Sequence, residues 1–178
     1  MSKTTGSQRV YLSIGSNIDR DEHVAAALDA LAKEFGQLIL SRVFESESIG
    51  FSGENFYNLV VGIDTELSVA ELAQTMRVIE QANGRLRNEV RFGPRTLDID
   101  ILTYGQRAGV IDGIALPRDE ILKNAFVLIP LADIAGQEFH PVSQQTYSDL
   151  SARMNTGEQK LWPVDFFWQG RQLSAGVD

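Results

Sequence analysis

Residues 91–102 read Arg-Phe-Gly-Pro-Arg-Thr-Leu-Asp-Ile-Asp-Ile-Leu, and the second half of that run admits few folds. Leu97, Ile99 and Ile101 alternate with Asp98 and Asp100, the period of a strand buried on one side. The apolar set then faces a core while both carboxylates stand on the opposite face. Two residues of strand rise separate their Cα atoms by roughly 6.5 Å. From there two carboxylates can converge on a pair of hard cations about 3.5–4 Å apart, as in two-metal phosphoryl chemistry. Arg91 and Arg95 lie just upstream, and their forked donors match phosphate oxygens. Taken alone, a D-x-D on a strand is usually a solvated face, and a nearby arginine usually a surface pair worth under about 1 kcal/mol. What changes the reading is density. Glu80, Arg85, Arg87, Arg91, Arg95, Asp98 and Asp100 crowd one stretch with Gly84 and Gly93 between them, the makings of a nucleotide phosphotransferase.

Composition removes several alternatives. The formal net charge is -8, which argues against a general nucleic-acid surface and makes the arginine cluster a positive island. There is no cysteine, so neither a disulfide framework nor a thiolate metal site is available. With His23 and His140 as the only histidines, a zinc site is not expected either. No apolar run approaches the roughly 18–20 residues that span a bilayer, and the polar start lacks a signal-peptide core, so no membrane role and a cytoplasmic location are expected. A P-loop and the protein-kinase motifs are missing. A metallohydrolase built on the D-x-D has no nearby histidine base to help it.

Along the chain, Val10 to Ile14 reads as a strand closed by a Gly15-Ser16-Asn17 turn. A helix capped by Asp21 follows, carries Val24, Leu28, Leu31 and Phe35, and ends at Gly36. Gln37 to Phe44 reads as a second strand, Glu45 to Asn55 as a mobile loop, and Phe56 to Ile63 as a third strand. Ser68 and Glu71 form a capping-box pattern before a helix over Val69 to Ala82. Residues 85–96 form a basic loop, and Leu97 to Tyr104 is the fourth strand. A short helix over Asn124 to Ile134 contains Pro130, which is expected to kink or end it. The order β-α-β-β-α-β predicts an α+β fold: a ferredoxin-like antiparallel sheet with helices packed on one face, plus a C-terminal extension. Trp162, Phe166, Phe167 and Trp168 predict that the extension docks on the body. The expected division is 1–155 for the main domain and 156–178 for that extension.

With these residues assembled, the chain resembles the 6-hydroxymethyl-7,8-dihydropterin pyrophosphokinases, which move a diphosphate from ATP to a pterin alcohol in folate biosynthesis. The resemblance covers about residues 9–145. It rests on Tyr11-Leu-Ser-Ile-Gly-Ser-Asn17, Phe56-Tyr-Asn58, Ile79-Glu80 to Arg87, Arg91 to Leu102, Phe126-Val-Leu-Ile-Pro-Leu131 and His140-Pro141. It implies that Asp98 and Asp100 hold two Mg²⁺ ions and that Arg85 and Arg95 grip the phosphates as catalytic groups. Glu80, Ile101 and Arg118 would join Arg85 and Arg95 around ATP. Phe56, Asn58, Phe126, Ser46 and Ile49 would bind the pterin, with the amide reading its edge and the rings stacking on its faces. The implied partners are the two small-molecule substrates, and the implied state is a monomer.

The chain departs from the family pattern in places. A Tyr-x-Thr-x-Pro-x-Gly segment is replaced by Phe44-Glu-Ser-Glu-Ser-Ile-Gly50, which brings Glu45 and Glu47 near an anionic co-substrate. A His-Pro-Arg-Leu pattern becomes Arg118-Asp-Glu-Ile121, an arginine becomes Asn124 beside Lys123, a basic residue becomes Asn88, and a tryptophan becomes Phe92. Each lost phosphate contact costs roughly 1.5–3 kcal/mol, with Arg118 and Lys123 placed to compensate. The alternative expectation is a diverged paralogue that binds pterin or nucleotide without turnover, or uses a related substrate.

Overall fold

The computed structural model describes residues 6–47, 54–84, 96–154, 157 and 159–176. The chain begins β1 (Gln8–Ser16), α1 (Arg20–Phe35), β2 (Ile39–Leu40), β3 (Phe44–Ser46), β4 (Phe56–Thr65), α2 (Val69–Ala82) and β5 (Asp98–Tyr104). A hairpin of β6 (Gly109–Ile111) and β7 (Ile114–Leu116) leads through the 3₁₀ turn Asp119–Leu122 to α3 (Ala125–Ala135) and α4 (Tyr147–Arg153). The last elements are β8 (Leu161–Pro163), β9 (Phe166–Trp168) and β10 (Arg171–Ser174). The main sheet runs β5-β1-β4-β3-β8, with β2 also on β4 and every pairing antiparallel. This is the expected βαββαβ sheet, extended at one edge by β8. No described helix is long and apolar enough to cross a membrane.

Alternation along the central strands divides the core in two. Val10, Leu12, Ile14, Leu59, Val61, Ile63, Ile99 and Ile101 pack under the apolar stripes of α1 and α2. Tyr11, Val60 and Leu102 face the other way, onto α3 and Tyr147 of α4. Helices therefore cover both faces, not the single face expected. The reason is α3, which buries Val127, Leu128, Pro130 and Leu131 together and so needs a sheet face of its own. Pro130 does not end that helix, which continues to Ala135. The register between β1 and β5 shifts at Tyr11/Leu12, so that Leu12 meets Ile101 and Tyr11 meets Thr103. Leu102 is the extra residue of this bulge and turns to the α3 side.

Three local expectations change. Gly15 and Ser16 do not turn; they pair with Asn58 and Tyr57, and β1 ends only at Ser16. The helix that follows is capped at Asp19, in the left-handed region at φ 45°, while Asp21 sits in its first turn. The strand expected over Gln37–Phe44 is split into β2 and β3. Between them the Ser41 hydroxyl accepts the Val60 N–H at 2.9 Å, and the Arg42 amide donates to Asp133 of α3 at 2.8 Å, so the ladder breaks there. Glu45 and Ser46, expected in a loop, belong to β3. The capping box fixes α2 as expected: Ser68 Oγ accepts the Glu71 N–H at 3.2 Å and Glu71 accepts the Ser68 N–H at 2.9 Å. Of the C-terminal aromatics, Phe166 is buried against Tyr57 and Trp168 donates to Asp29 at 2.8 Å, while Phe167 stays exposed.

His140 is buried in the turn before α4, where its Nδ1 accepts the Val142 and Ser143 amides at 3.1 and 3.0 Å. An acceptor at Nδ1 is an unprotonated one, and burial pushes the imidazole below its ordinary value of 6.5. In the unfolded chain His140 takes a proton near 6.5, while in the folded chain it resists until a lower pH. Stability from this group is thus complete above about 6.5 and falls as pH drops from there towards the folded-state value. Thermal unfolding between pH 7 and 5 is expected to show a steeper loss for the wild type than for His140→Asn, whose amide oxygen keeps an acceptor; equal slopes would remove His140 from the account.

Candidate active site

Residues directly opposite in an antiparallel ladder project from the same face. Asp98 of β5 lies opposite Gly15 of β1, Gly15 opposite Asn58 of β4, and Asn58 opposite Phe44 of β3. One rung further, Asp100 is opposite Ser13, and at the other end Phe56 is opposite Ser46. All of these stand on the α3 side of the sheet. Helix α3 covers that face around Tyr11, Val60 and Leu102. Towards the ends of β1 and β5, Ser13, Gly15, Phe56, Asp98 and Asp100 remain half-exposed, as does Phe126 in the first turn of α3.

Gly15 is the floor of this depression. Its backbone lies outside the left-handed region, so glycine is not needed there for conformation. A methyl group at this position would stand 3.8 Å from both Asn58 Oδ1 and a Phe56 ring carbon. The absent side chain therefore leaves a hollow bounded by an amide oxygen and an aromatic face, with Asp98 about 10 Å from Asn58 across two strand spacings.

The amide of Asn58 is held in one orientation. Its Nδ2 donates to Ser46 Oγ at 2.8 Å and lies 3.4 Å from the carbonyls of Phe44 and Phe56. Reversing the amide would set its oxygen against those two carbonyls, so Oδ1 is the atom turned to the hollow. A ligand there must present N–H donors. Both Asn58 and Ser46 are buried, which makes an unmatched acceptor costly and the selection for donors strong.

Beneath β3 and β4, on the α1 side, Arg20 lies 3.5 Å from Glu45 and 4.0 Å above the Tyr57 ring, and donates to the Asn55 carbonyl at 2.9 Å. Asn55 donates to Glu45 at 2.9 Å, and Asn17 donates to the Glu54 carbonyl at 3.2 Å. Glu45 was expected to add negative charge near the co-substrate. The register of β3 turns it to the opposite face, where Arg20 neutralises it. Arg20 carried no sequence signal, because its role depends on which strand ends meet α1.

On the acidic side, Leu97, Ile99 and Ile101 are buried under α2, and Asp98 and Asp100 share the other face. The Ile101 side chain belongs to the core, so only its backbone can reach a nucleotide. The buried Glu80 carboxylate, at the end of α2, accepts the Ile99 N–H at 2.8 Å and so ties the edge strand down between the two aspartates. Arg118 is drawn to the same place because its amide donates to the bulge carbonyl of Leu102 at 2.8 Å. Its guanidinium lies 3.8 Å from Asp100 and 3.0 Å from Glu120. Burial opposes its charge, but the carboxylates of Asp100 and Glu120 outweigh that and hold it above the ordinary arginine value. Lys123 instead pairs with Asp119 at 2.9 Å on the exposed surface. Arg85, Arg95 and Ile49 lie outside the described residues.

No cluster of three metal-ligating side chains occurs among the described residues. Two half-exposed carboxylates on one face are nevertheless the donor set that suits Mg²⁺, which keeps much of its octahedral shell for water and phosphate oxygens.

Comparison with known proteins places this geometry in a family. A family model described as 7,8-dihydro-6-hydroxymethylpterin-pyrophosphokinase matches residues 11–136. The 2-amino-4-hydroxy-6-hydroxymethyldihydropteridine pyrophosphokinase of Pseudomonas aeruginosa is 38% identical over 132 residues, 72% of this chain and 81% of that protein. The enzyme of the same name from Methylorubrum extorquens is 39% identical over 131 residues, 71% of this chain and 82% of that protein. Among solved structures, Plasmodium falciparum HPPK-DHPS with pteroate superposes with a TM-score of 0.73 at 14% identity. That match covers 98% of this chain and 48% of the Plasmodium chain, so this chain spans about half its length and shares its fold.

Glu80→Ala leaves the Ile99 amide buried without its acceptor and is expected to cost about 1–3 kcal/mol in denaturant unfolding, with Glu80→Gln retaining most of it. Unchanged stability in the alanine variant would show that the bond contributes nothing to holding β5.

Proposed function

The chain belongs to the 7,8-dihydro-6-hydroxymethylpterin-pyrophosphokinase family, and on that footing we propose that it transfers diphosphate from ATP to the hydroxymethyl group of 6-hydroxymethyl-7,8-dihydropterin, releasing AMP, in folate biosynthesis. The observation that supports this reading most is the rung Asp98–Gly15–Asn58. It sets a carboxylate and a fixed amide acceptor on either side of a hollow, on the face that also carries Asp100.

The pterin edge that carries N–H donors goes to Asn58 Oδ1, with Ser46 beside it, and the family resemblance adds Ile49 to the pterin contacts. Its bicycle lies over Gly15 between the rings of Phe56 and Phe126. In that pose the hydroxymethyl arm extends across β1 towards Asp98. Asp98 and Asp100 would hold two Mg²⁺ ions, which when bound neutralise the polyphosphate and ease deprotonation of the alcohol. Arg118 meets the phosphates from beside Asp100, and Arg85 and Arg95 grip them and steady the charge that spreads in the transition state. Glu80 fixes the strand on which the aspartates sit and belongs to the nucleotide side of the site, as does the backbone of Ile101. Arg118 takes over for the histidine of the common pattern. Lys123, paired with Asp119, does not. The rate enhancement comes from in-line positioning and charge neutralisation, with no separate base. We read residues 1–155 as the pyrophosphokinase domain and 156–178 as its docked extension, in a cytoplasmic monomer whose partners are its two substrates.

Purified protein with Mg²⁺, ATP and the hydroxymethyl pterin is expected to release AMP, and Asp98→Ala or Asp100→Ala to lower turnover at least about 100-fold. Normal turnover in both variants would refute the metal assignment, and pterin or nucleotide binding without AMP release by the wild type would identify a diverged binding protein. Gly15→Ala meets only ordinary contacts at 3.8 Å, so its thermal midpoint should match the wild type. Its pterin KM should rise about tenfold or more as the methyl fills the hollow; an unchanged KM would move the pterin elsewhere.

A further inference from the structure

The family model stops at residue 136, and nothing in it accounts for the last strands of this chain. That C-terminal stretch, Gln159 and the strands after it, reaches the two walls of the depression over Gly15. One wall is β3. It is only three residues long, follows the ladder break at Ser41–Val43, and ends at Ser46, whose hydroxyl fixes the Asn58 amide. Strand β8 pairs with all of it: Pro163 with Phe44, Trp162 with Glu45, and Leu161 with Ser46. The Val164 amide and the Ser174 hydroxyl both donate to the carbonyl of Val43, at 3.0 and 3.2 Å. Without β8, β3 would be a three-residue sheet edge, the kind of element that frays.

The other wall is the start of α3, which carries Phe126. Its N-cap, Asn124, makes no capping hydrogen bond with its own side chain. Gln159 supplies one from the extension: its Oε1 accepts the Ala125 N–H at 2.6 Å and its Nε2 donates to the Lys123 carbonyl at 2.9 Å. A single segment, residues 159–163, thus holds the first turn of α3 at one end and β3 at the other.

We propose that residues 159–163 position the pterin site, fixing the distance and orientation between the Phe126 ring and the Ser46–Asn58 pair. They touch no substrate and act through those residues. Asp98, Asp100 and Glu80 stand on β5 and α2, three strands from β3, and Arg118 is anchored to β5 by its own amide on the Leu102 carbonyl, so the segment governs pterin recognition and leaves nucleotide binding alone. This rests on the proposed pterin site.

The test uses the full chain with Gln159→Ala, Gln159→Glu and Trp162→Pro. Gln159→Ala should raise the pterin KM about fivefold and Trp162→Pro about tenfold or more, with the ATP KM and the affinity for a non-hydrolysable ATP analogue within about twofold of wild type. Gln159→Glu keeps an acceptor for the Ala125 amide at a helix N-terminus but loses the donor to the Lys123 carbonyl, so it should bring the pterin KM part of the way back towards wild type. The Asn58 side-chain amide protons, buried and bonded to Ser46 Oγ in the wild type, should exchange faster in Trp162→Pro than in the ligand-free wild type. Pterin and ATP constants that move together, or not at all, would overturn the proposal, as would Gln159→Glu behaving like Gln159→Ala. If Trp162→Pro fails to fold, the two Gln159 variants decide the matter through the same KM comparison. A wild type that binds no pterin would sink the functional reading, whereas the Asn58 exchange rates would still decide whether this segment holds the wall.

Discussion

The register of β1 between β4 and β5 is the constraint on which the site depends. Strand side chains alternate with a period of two, so a slip of one residue would send Asp98, Asp100 and Asn58 into the α1/α2 core and bring Ile99 and Leu59 to solvent. Burying Val10, Leu12 and Ile14 against Leu59, Val61, Ile99 and Ile101 forbids that slip. The hydrophobic core is therefore what aligns the polar residues on the other face. Gly15 sits at the crossing point, the one position on the rung where an absent side chain makes room for something else.

Charge is handled by the same geometry. An acidic protein that processes polyphosphate must keep its carboxylates either paired or useful. Glu45 is turned away from the depression and matched with Arg20, and Asp64 on the distal part of β4 pairs with Arg9 at 2.7 Å. Glu80 is spent on the backbone of β5. The aspartates of β5 stay at the surface of the depression with Arg118 close to one of them. The bulge at Leu102 makes that last approach possible, because its carbonyl is where the Arg118 amide docks.

Much of this was legible in the residues. The alternation Leu97-Asp98-Ile99-Asp100-Ile101 gave both the burial and the common face of the carboxylates, since a strand has only two sides. Ser68 and Glu71 announced the start of α2, because a capping box is a local bond between near neighbours. The βαββαβ order followed from segment periodicity. Local chemistry misled at Gly15-Ser16-Asn17, where glycine and polar side chains look like a turn yet Gly15 and Ser16 continue a strand, because the neighbouring strands supply ladder partners that a sequence window does not contain. It misled again at Gln37–Phe44, where an acceptor on Ser41 and a carboxylate on α3 compete for the backbone.

What the amino-acid order determined by itself was the set of elements and the face each residue takes within its own element, because propensity, capping and periodicity act over a few residues. What the tertiary structure decided was which elements meet. It put α3 on the far side of the sheet, Glu45 on Arg20, the Glu80 carboxylate on the Ile99 amide, and Gln159 on the first turn of α3. Those contacts join residues far apart in the chain, and their free energy appears only once the loop-closure entropy between them has been overcome by burial of the common core.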